Sequence, residues 1–185
     1  MRLFVSVDLP PALVEPIETL QETLSRAPGL RPTDPAQAHI TLFFLGGVDD
    51  DRVPEITAAL EDAIAPLELA PFEAQIGGLG VFPSLEYIRV VWLGVQRGVT
   101  GLEVLHEAVV DALEPLGFEP DDHAFTPHVT IGRMDHAGGK SHVQSVVEER
   151  TPTVGTMIVD RFSLTESVLT EDGPRYRTVT DFSLK

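Results

Sequence analysis

The sequence predicts an α+β fold, on three observations. Short apolar runs bounded by glycine or proline, such as residues 39–45 before Gly46-Gly47, read as strands. Longer stretches repeat apolar residues at helical spacing, most clearly Ile56, Ala59, Leu60, Ala63, Ile64 and Leu67. The two kinds of element are mixed without the regular strand–helix–strand rhythm of a doubly wound sheet.

In chain order, residues 2–7 alternate as a first strand. A helix follows between Pro11 and Arg26, with Leu13, Ile17, Leu20 and Leu24 on one face; Pro16 favours a regular part that starts there. The strand His39-Ile40-Thr41-Leu42-Phe43-Phe44-Leu45 comes next. Asp49, Asp50 and Asp51 suit the positive N-terminus of a second helix, and Pro54 is tolerated in its first turn. Strands near 72–82 and 87–95 lead to a third helix with Leu102, Leu105, Val109, Leu113 and Leu116 on one face. Thr100 and Glu103 are spaced for a capping box, and Gly117 is placed to end that helix. The polar loop Glu119-Pro120-Asp121-Asp122 precedes the strand His128-Val129-Thr130-Ile131. A weaker helix is expected over 140–149, and strands near 154–168 and 175–184 flank the turn Glu171-Asp172-Gly173-Pro174.

The chain has 185 residues, 43% of them hydrophobic, enough to bury a substantial core as a single domain over 1–185. No run approaches the ~18 apolar residues of a membrane span, and Met1–Asp8 reads as a strand rather than a signal peptide. With no cysteine there is no disulfide, thiolate nucleophile or cysteine-ligated zinc, and the expected setting is cytoplasmic, as a monomer. The formal charge is −16, and Lys140 and Lys185 are the only lysines. A general nucleic-acid coat carries a basic footprint, so RNA recognition is expected to be confined to a small terminal group. The acid excess also suits work in concentrated salt, where self-repulsion is screened, as in a halophile.

One short pattern occurs twice, as His39-Ile40-Thr41-Leu42 and His128-Val129-Thr130-Ile131, with the histidines 89 positions apart. On a strand, His and Thr two residues apart share a face, while Ile40 and Val129 point into packing. If the two halves pack with approximate two-fold symmetry, two imidazoles and two hydroxyls face one cleft. That set suits metal-free attack at phosphorus. One His takes a proton from water and the other gives one to the departing oxygen, while the hydroxyls donate to non-bridging oxygens. A lone His-x-Thr is common by chance, and pattern alone leaves a structural and a catalytic pair both open.

The chain resembles the 2H phosphoesterase superfamily, in particular the RNA 2′,3′-cyclic phosphodiesterases once called 2′-5′ RNA ligases. The resemblance runs through Met1–Pro10, His39–Gly46, Gly80-Val81-Phe82-Pro83 with Arg89-Val90-Val91-Trp92, Phe125–Arg133, and Ser167-Val168-Leu169 with Gly173-Pro174-Arg175-Tyr176. It implies a bilobal α+β fold of two pseudo-symmetric antiparallel sheets with flanking helices and a central cleft. It implies hydrolysis of RNA 2′,3′-cyclic ends to 2′-phosphomonoesters with no cofactor and no metal. By motif, His39 is the proton donor to the leaving 3′-oxygen and His128 the acceptor that activates water. Thr41 and Thr130 hold the phosphate oxygens, and Arg133 adds positive charge beside them. Substrates would be RNA ends or cyclic nucleotides. A non-catalytic binding module for nucleotides or RNA ends, and a reversible 2′-5′ ligase, are the alternative readings.

Strand alternation places Phe43 on the His39 face, where it either packs or stacks on a base; packing is preferred. His106 reads as structural. His123, His136 and His142 lack metal-ligand spacing, and Gly77-Gly78-Leu79-Gly80 lacks the context of a phosphate loop. No serine sits in a nucleophile elbow. Arg89 and Tyr176 are candidates for the cleft wall as much as for structure.

Overall fold

The computed structural model describes all 185 residues, and its elements begin with β1 (Arg2–Asp8), α1 (Val14–Leu24), β2 (Leu30–Pro32), β3 (His39–Gly47) and α2 (Val53–Ile64). There follow β4 (Phe72–Pro83), β5 (Ile88–Arg97), α3 (Val99–Leu113), β6 (His128–Met134), α4 (Lys140–Glu149), β7 (Thr153–Val159), β8 (Arg161–Thr170) and β9 (Gly173–Ser183).

Differences from the sequence expectation have local causes. A 3-10 turn at Pro11–Leu13 precedes α1, so Pro16 falls in the first helical turn, where its missing N–H costs little. The Thr100–Glu103 capping box does not form. Gly98, at φ +88°, is the N-cap, and Thr100 already lies within the helix. Gly98 is tucked against β4, where a Cβ would come within 2.6 Å of the Glu73 carbonyl oxygen, so the close approach of the backbones sets the helix start. Gly117 does end the stretch, at φ +91°, after a 3-10 extension over Glu114–Leu116. Residues 154–168 are two strands rather than one, broken at Asp160, because β7 and β8 belong to opposite halves of the sheet. β2 is only three residues long, too short to leave a period in the sequence.

The main sheet path runs β7-β4-β5-β6-β3-β1-β8-β9, with β2 added beside β6. Its midpoint is the junction of β6 and β3, antiparallel strands that pair only at Ile40 and Val129. Four strands thus lie on each side of a narrow seam. Helices α1 and α4 pack on the β6 half, and α2 and α3 on the β3 half. Each half therefore borrows a helix that follows a strand of the other: α1 comes after β1, and α3 after β5. The architecture is the expected α+β fold with an approximate two-fold through the seam, but the two sheets expected are joined there into one continuous antiparallel sheet by the Ile40–Val129 pair. Buried apolar side chains from both halves merge into one cluster that includes Ile40 and Val129, each fully buried. No helix is long and apolar enough to cross a membrane.

Candidate active site

Both His-x-Thr motifs open their strands at the seam, so the single pair Ile40–Val129 places them side by side. Each strand then carries a bulge at an equivalent place. Thr41 pairs with Ser6 and Phe43 with Val5, leaving Leu42 as the extra residue in β3. In β6, Thr130 pairs with Trp92 and Gly132 with Val91, leaving Ile131 as the extra residue. A bulge inserts one residue and so exchanges the faces that follow it. Phe43 accordingly turns into the core, 4% exposed, and leaves the His39 face that simple alternation assigned it. The side chains returned to the open face are Phe44 in one half and Arg133 in the other. This is why Arg133, five residues after His128, stands beside His128 and Thr130.

The two imidazoles are held in the same way. His39 Nδ1 lies 2.9 Å from the Gln37 carbonyl oxygen, and His128 Nδ1 lies 2.6 Å from that of Thr126. A carbonyl only accepts, so each Nδ1 carries its proton and donates, and each Nε2 is left for the cleft. Aromatic rings fix the planes. His39 meets Tyr176 edge-on at 5.0 Å and Phe4 at 4.9 Å; His128 meets Phe82 edge-on at 5.0 Å and Trp92 at 5.8 Å. Trp92 can lie there because its cross-strand partner is Gly80, where a Cβ would come within 2.2 Å of the indole.

Burial lowers the pKa of both histidines from the ordinary 6.5. For His39 the Gln37 carbonyl and the Asp8 carboxylate oppose that shift, while His128 and Arg133 add to it. For His128 the Thr126 carbonyl opposes it and Arg133 adds to it.

His39, Thr41, His128, Thr130 and Arg133 all line one cleft of about 330 Å³, together with Arg31, Arg175 and Tyr176. A second cavity of about 570 Å³ shares Thr41, His128, Thr130 and Arg133, and is walled by Phe44, Phe82 and Phe125. One arm of the trough is thus polar and the other aromatic. The β9 edge is tied to the polar arm through Gln37. Its amide donates to the Pro174 carbonyl at 3.1 Å and accepts from the Tyr176 N–H at 2.8 Å, while its own carbonyl holds His39. Nothing in the local sequence marks Gln37, because its partners lie in a distant strand. Arg89 lies outside the histidine cleft, in a shallow depression with Arg31 and Arg133.

The remaining histidines do not converge. His106 is bound to the Leu42 carbonyl and stacked at 4.1 Å on Phe125; His142 is bound to the Thr23 carbonyl; His136 accepts from the Gly138 N–H. His123 lines the aromatic arm. No three His, Asp or Glu side chains are grouped so as to hold a metal ion.

A duplicated strand pair meeting at one seam, with a cleft across it, is the architecture of the 2H phosphoesterases. The family model described as the 2′-5′ RNA ligase superfamily matches residues 9–170, and the chain belongs to that superfamily. It is 33% identical to a protein of Methanothermobacter thermautotrophicus named RNA 2′,3′-cyclic phosphodiesterase, over 100% of this chain and 99% of that one. A protein of the same name from Archaeoglobus fulgidus is also 33% identical, over 98% and 99%. Among solved structures, TT0787 of Thermus thermophilus superposes with a TM-score of 0.82 at 30% identity, covering 100% of this chain and 98% of that one. Apo Escherichia coli LigT, at 23% identity and a TM-score of 0.76, shares the fold over 99% of this chain and 96% of its own.

Proposed function

We propose that this protein hydrolyses RNA 2′,3′-cyclic phosphate ends to 2′-phosphomonoesters, with His39 as general acid, His128 as general base and no metal or other cofactor. The observation that carries the reading is the matched pair of imidazoles, each with Nδ1 engaged by a carbonyl and both lining one cleft with two threonines. The name carried by full-length relatives supports the substrate. In the reaction, His128 Nε2 takes a proton from water as its oxygen bonds to phosphorus. The P–O3′ bond breaks in line, and protonated His39 gives its proton to O3′. Thr41 and Thr130 hydroxyls and the Arg133 guanidinium stabilise the charge that grows on the non-bridging oxygens. Burial favours neutral rings, which suits the base. The acid becomes protonated once the anionic phosphate lies beside it.

The test is a short RNA ending in a 2′,3′-cyclic phosphate, incubated with EDTA and with wild type, His39→Ala or His128→Ala. A 2′-phosphate from wild type, with each variant slowed by ~10² to 10⁴, is the expected outcome. Loss of wild-type activity in EDTA, restored by zinc, would replace the reading with a metallohydrolase. Tight binding without product would make the cleft a binding module. With a 5′-hydroxyl in the place of water, the same pair can join a cyclic end to that alcohol: His128 takes the hydroxyl proton as P–O5′ forms, and His39 gives one to O3′ as P–O3′ breaks. The aromatic arm beside His128 offers room for the alcohol. Addition of 5′-hydroxyl RNA to the assay tests this ligase direction.

An RNA substrate fits action in the cytoplasm by a single-domain monomer, and the charge of −16 fits concentrated salt. Full stability in dilute buffer would count against the salt assignment.

A further inference from the structure

Arg31 of β2 and Arg133 of β6 are direct cross-strand partners. Residues so paired share a face, and both line the cleft that holds the two histidines. Two cations set opposite one another repel. The compensation within the chain is slight. Asp135 reaches Arg31 at 3.2 Å in an exposed ion pair, a kind that contributes little, and none of the ion pairs involves Arg133.

The strand that creates this juxtaposition is firmly anchored. The buried Gln21 amide donates to the carbonyls of Thr33 and Ile131, at 2.8 and 3.0 Å. The Thr33 N–H bonds to the Ile131 carbonyl at 3.1 Å, its hydroxyl to the Thr130 carbonyl at 3.1 Å, and the Asp135 N–H to the Gly29 carbonyl at 2.8 Å. Three residues are thus fixed at both ends to the strand that bears His128, and they present one charged side chain to the cleft. In a chain with 13 basic and 29 acidic residues, holding two arginines together at the site points to a second anion there.

We propose that Arg31 binds the phosphodiester on the 5′ side of the terminal nucleotide. It stands one strand spacing, about 4.8 Å, from Arg133, on the edge of β6 that β3 also borders at the seam. The substrate is then the end of an RNA chain rather than a free nucleoside 2′,3′-cyclic phosphate. This rests on the function proposed above and narrows it. On binding, the Arg31 guanidinium exchanges its exposed contact with Asp135 for a fork of hydrogen bonds to phosphate. Recognition by one or two backbone phosphates also reconciles an RNA substrate with so acidic a surface.

The test compares wild type and Arg31→Gln on a dinucleotide ending in a 2′,3′-cyclic phosphate, on the matching nucleoside 2′,3′-cyclic phosphate, and on the dinucleotide with an uncharged methylphosphonate linkage. Arg31→Gln is expected to lower kcat/KM about tenfold or more on the dinucleotide, the scale of a charge-assisted hydrogen bond, and no more than about twofold on the mononucleotide. The methylphosphonate should lower wild type by a similar factor and leave the variant little changed. The slope of log kcat/KM against log salt for the dinucleotide should shrink by about 0.7 in the variant. Equal losses on both substrates, no loss on either, or effects of variant and methylphosphonate that multiply would overturn the proposal. If wild type turns over none of the three, the functional reading fails instead. Titration of the dinucleotide 2′-phosphate then decides: about tenfold weaker binding by Arg31→Gln supports the subsite, and equal binding overturns it.

Discussion

The half that carries His39 and the half that carries His128 are built on one plan and furnished differently. Both open a strand with His-x-Thr, bulge one residue after the Thr, and anchor the imidazole through the carbonyl two residues before it. Yet the position five residues past the histidine is Phe44 in one half and Arg133 in the other. His39 is wedged by Phe4 and Tyr176 and braced through the Gln37 side chain, whereas His128 rests on Phe82 and Trp92 with no such brace. The shared plan gives both rings the same tautomer. The differing surroundings are what would let a symmetric pair act as an acid and a base, as proposed above.

The largest expected effect breaks the pair itself. His39→Ala and His128→Ala should each lower kcat by ~10² to 10⁴, and the double variant should fall little below the worse single one, as expected of two groups that act as a unit. Single-turnover rates on a cyclic-ended RNA measure this. Next comes the arginine that only one half carries. Arg133→Gln should lower kcat by about 10², the scale of one lost donor to developing charge. It should also move the pH–rate profile upward, since Arg133 lowers the pKa of both histidines and its removal lets each hold a proton at higher pH. In wild type the kcat/KM bell should centre below the 6.5 of an unperturbed imidazole.

Gln37 tests the brace. As a positioning residue, it should cost roughly tenfold in kcat when changed to Ala, with little change in KM. Gln37→Glu should in addition move the basic limb upward by placing a carboxylate near His39. A loss confined to thermal stability, with an unmoved pH profile, would make Gln37 structural only. The smallest effect is on stability. Burial keeps both rings below their unfolded pKa, so the unfolded chain binds protons more readily. The contribution is present above about pH 6.5 and is lost as pH falls through the folded values. The apo protein should therefore melt lower at pH 5 than at pH 7, and His39→Phe should narrow that gap.

Strands and helices are legible wherever apolar residues repeat over several turns, as in α2 and α3, because burial of one face imposes the period. The pair of His-x-Thr motifs is legible for the same reason, as alternation on short strands. What alternation misses is the bulge. Leu42 and Ile131 look like ordinary inward residues, and only the partner strands β1 and β5 leave them unpaired, so alternation puts Phe43 on the wrong face and passes over Phe44. The break at Asp160 is equally silent, since β7 and β8 are both strand-forming and differ only in which half receives them. Tyr176 is legible as a candidate for the cleft wall and stands there, whereas Gln37 and Arg31 owe their places to contacts 100 or more residues away in the chain, which no local pattern encodes.

The opposed roles proposed for two similarly held imidazoles are tested most directly with an RNA whose cyclic phosphate has sulfur in place of the 3′-bridging oxygen. A thiolate leaves without protonation, so the general acid becomes dispensable while the base is still needed. This substrate should restore His39→Ala to near the wild-type rate and leave His128→Ala slow. Rescue of His128→Ala instead would reverse the two roles, and rescue of neither would contradict acid–base catalysis by this pair.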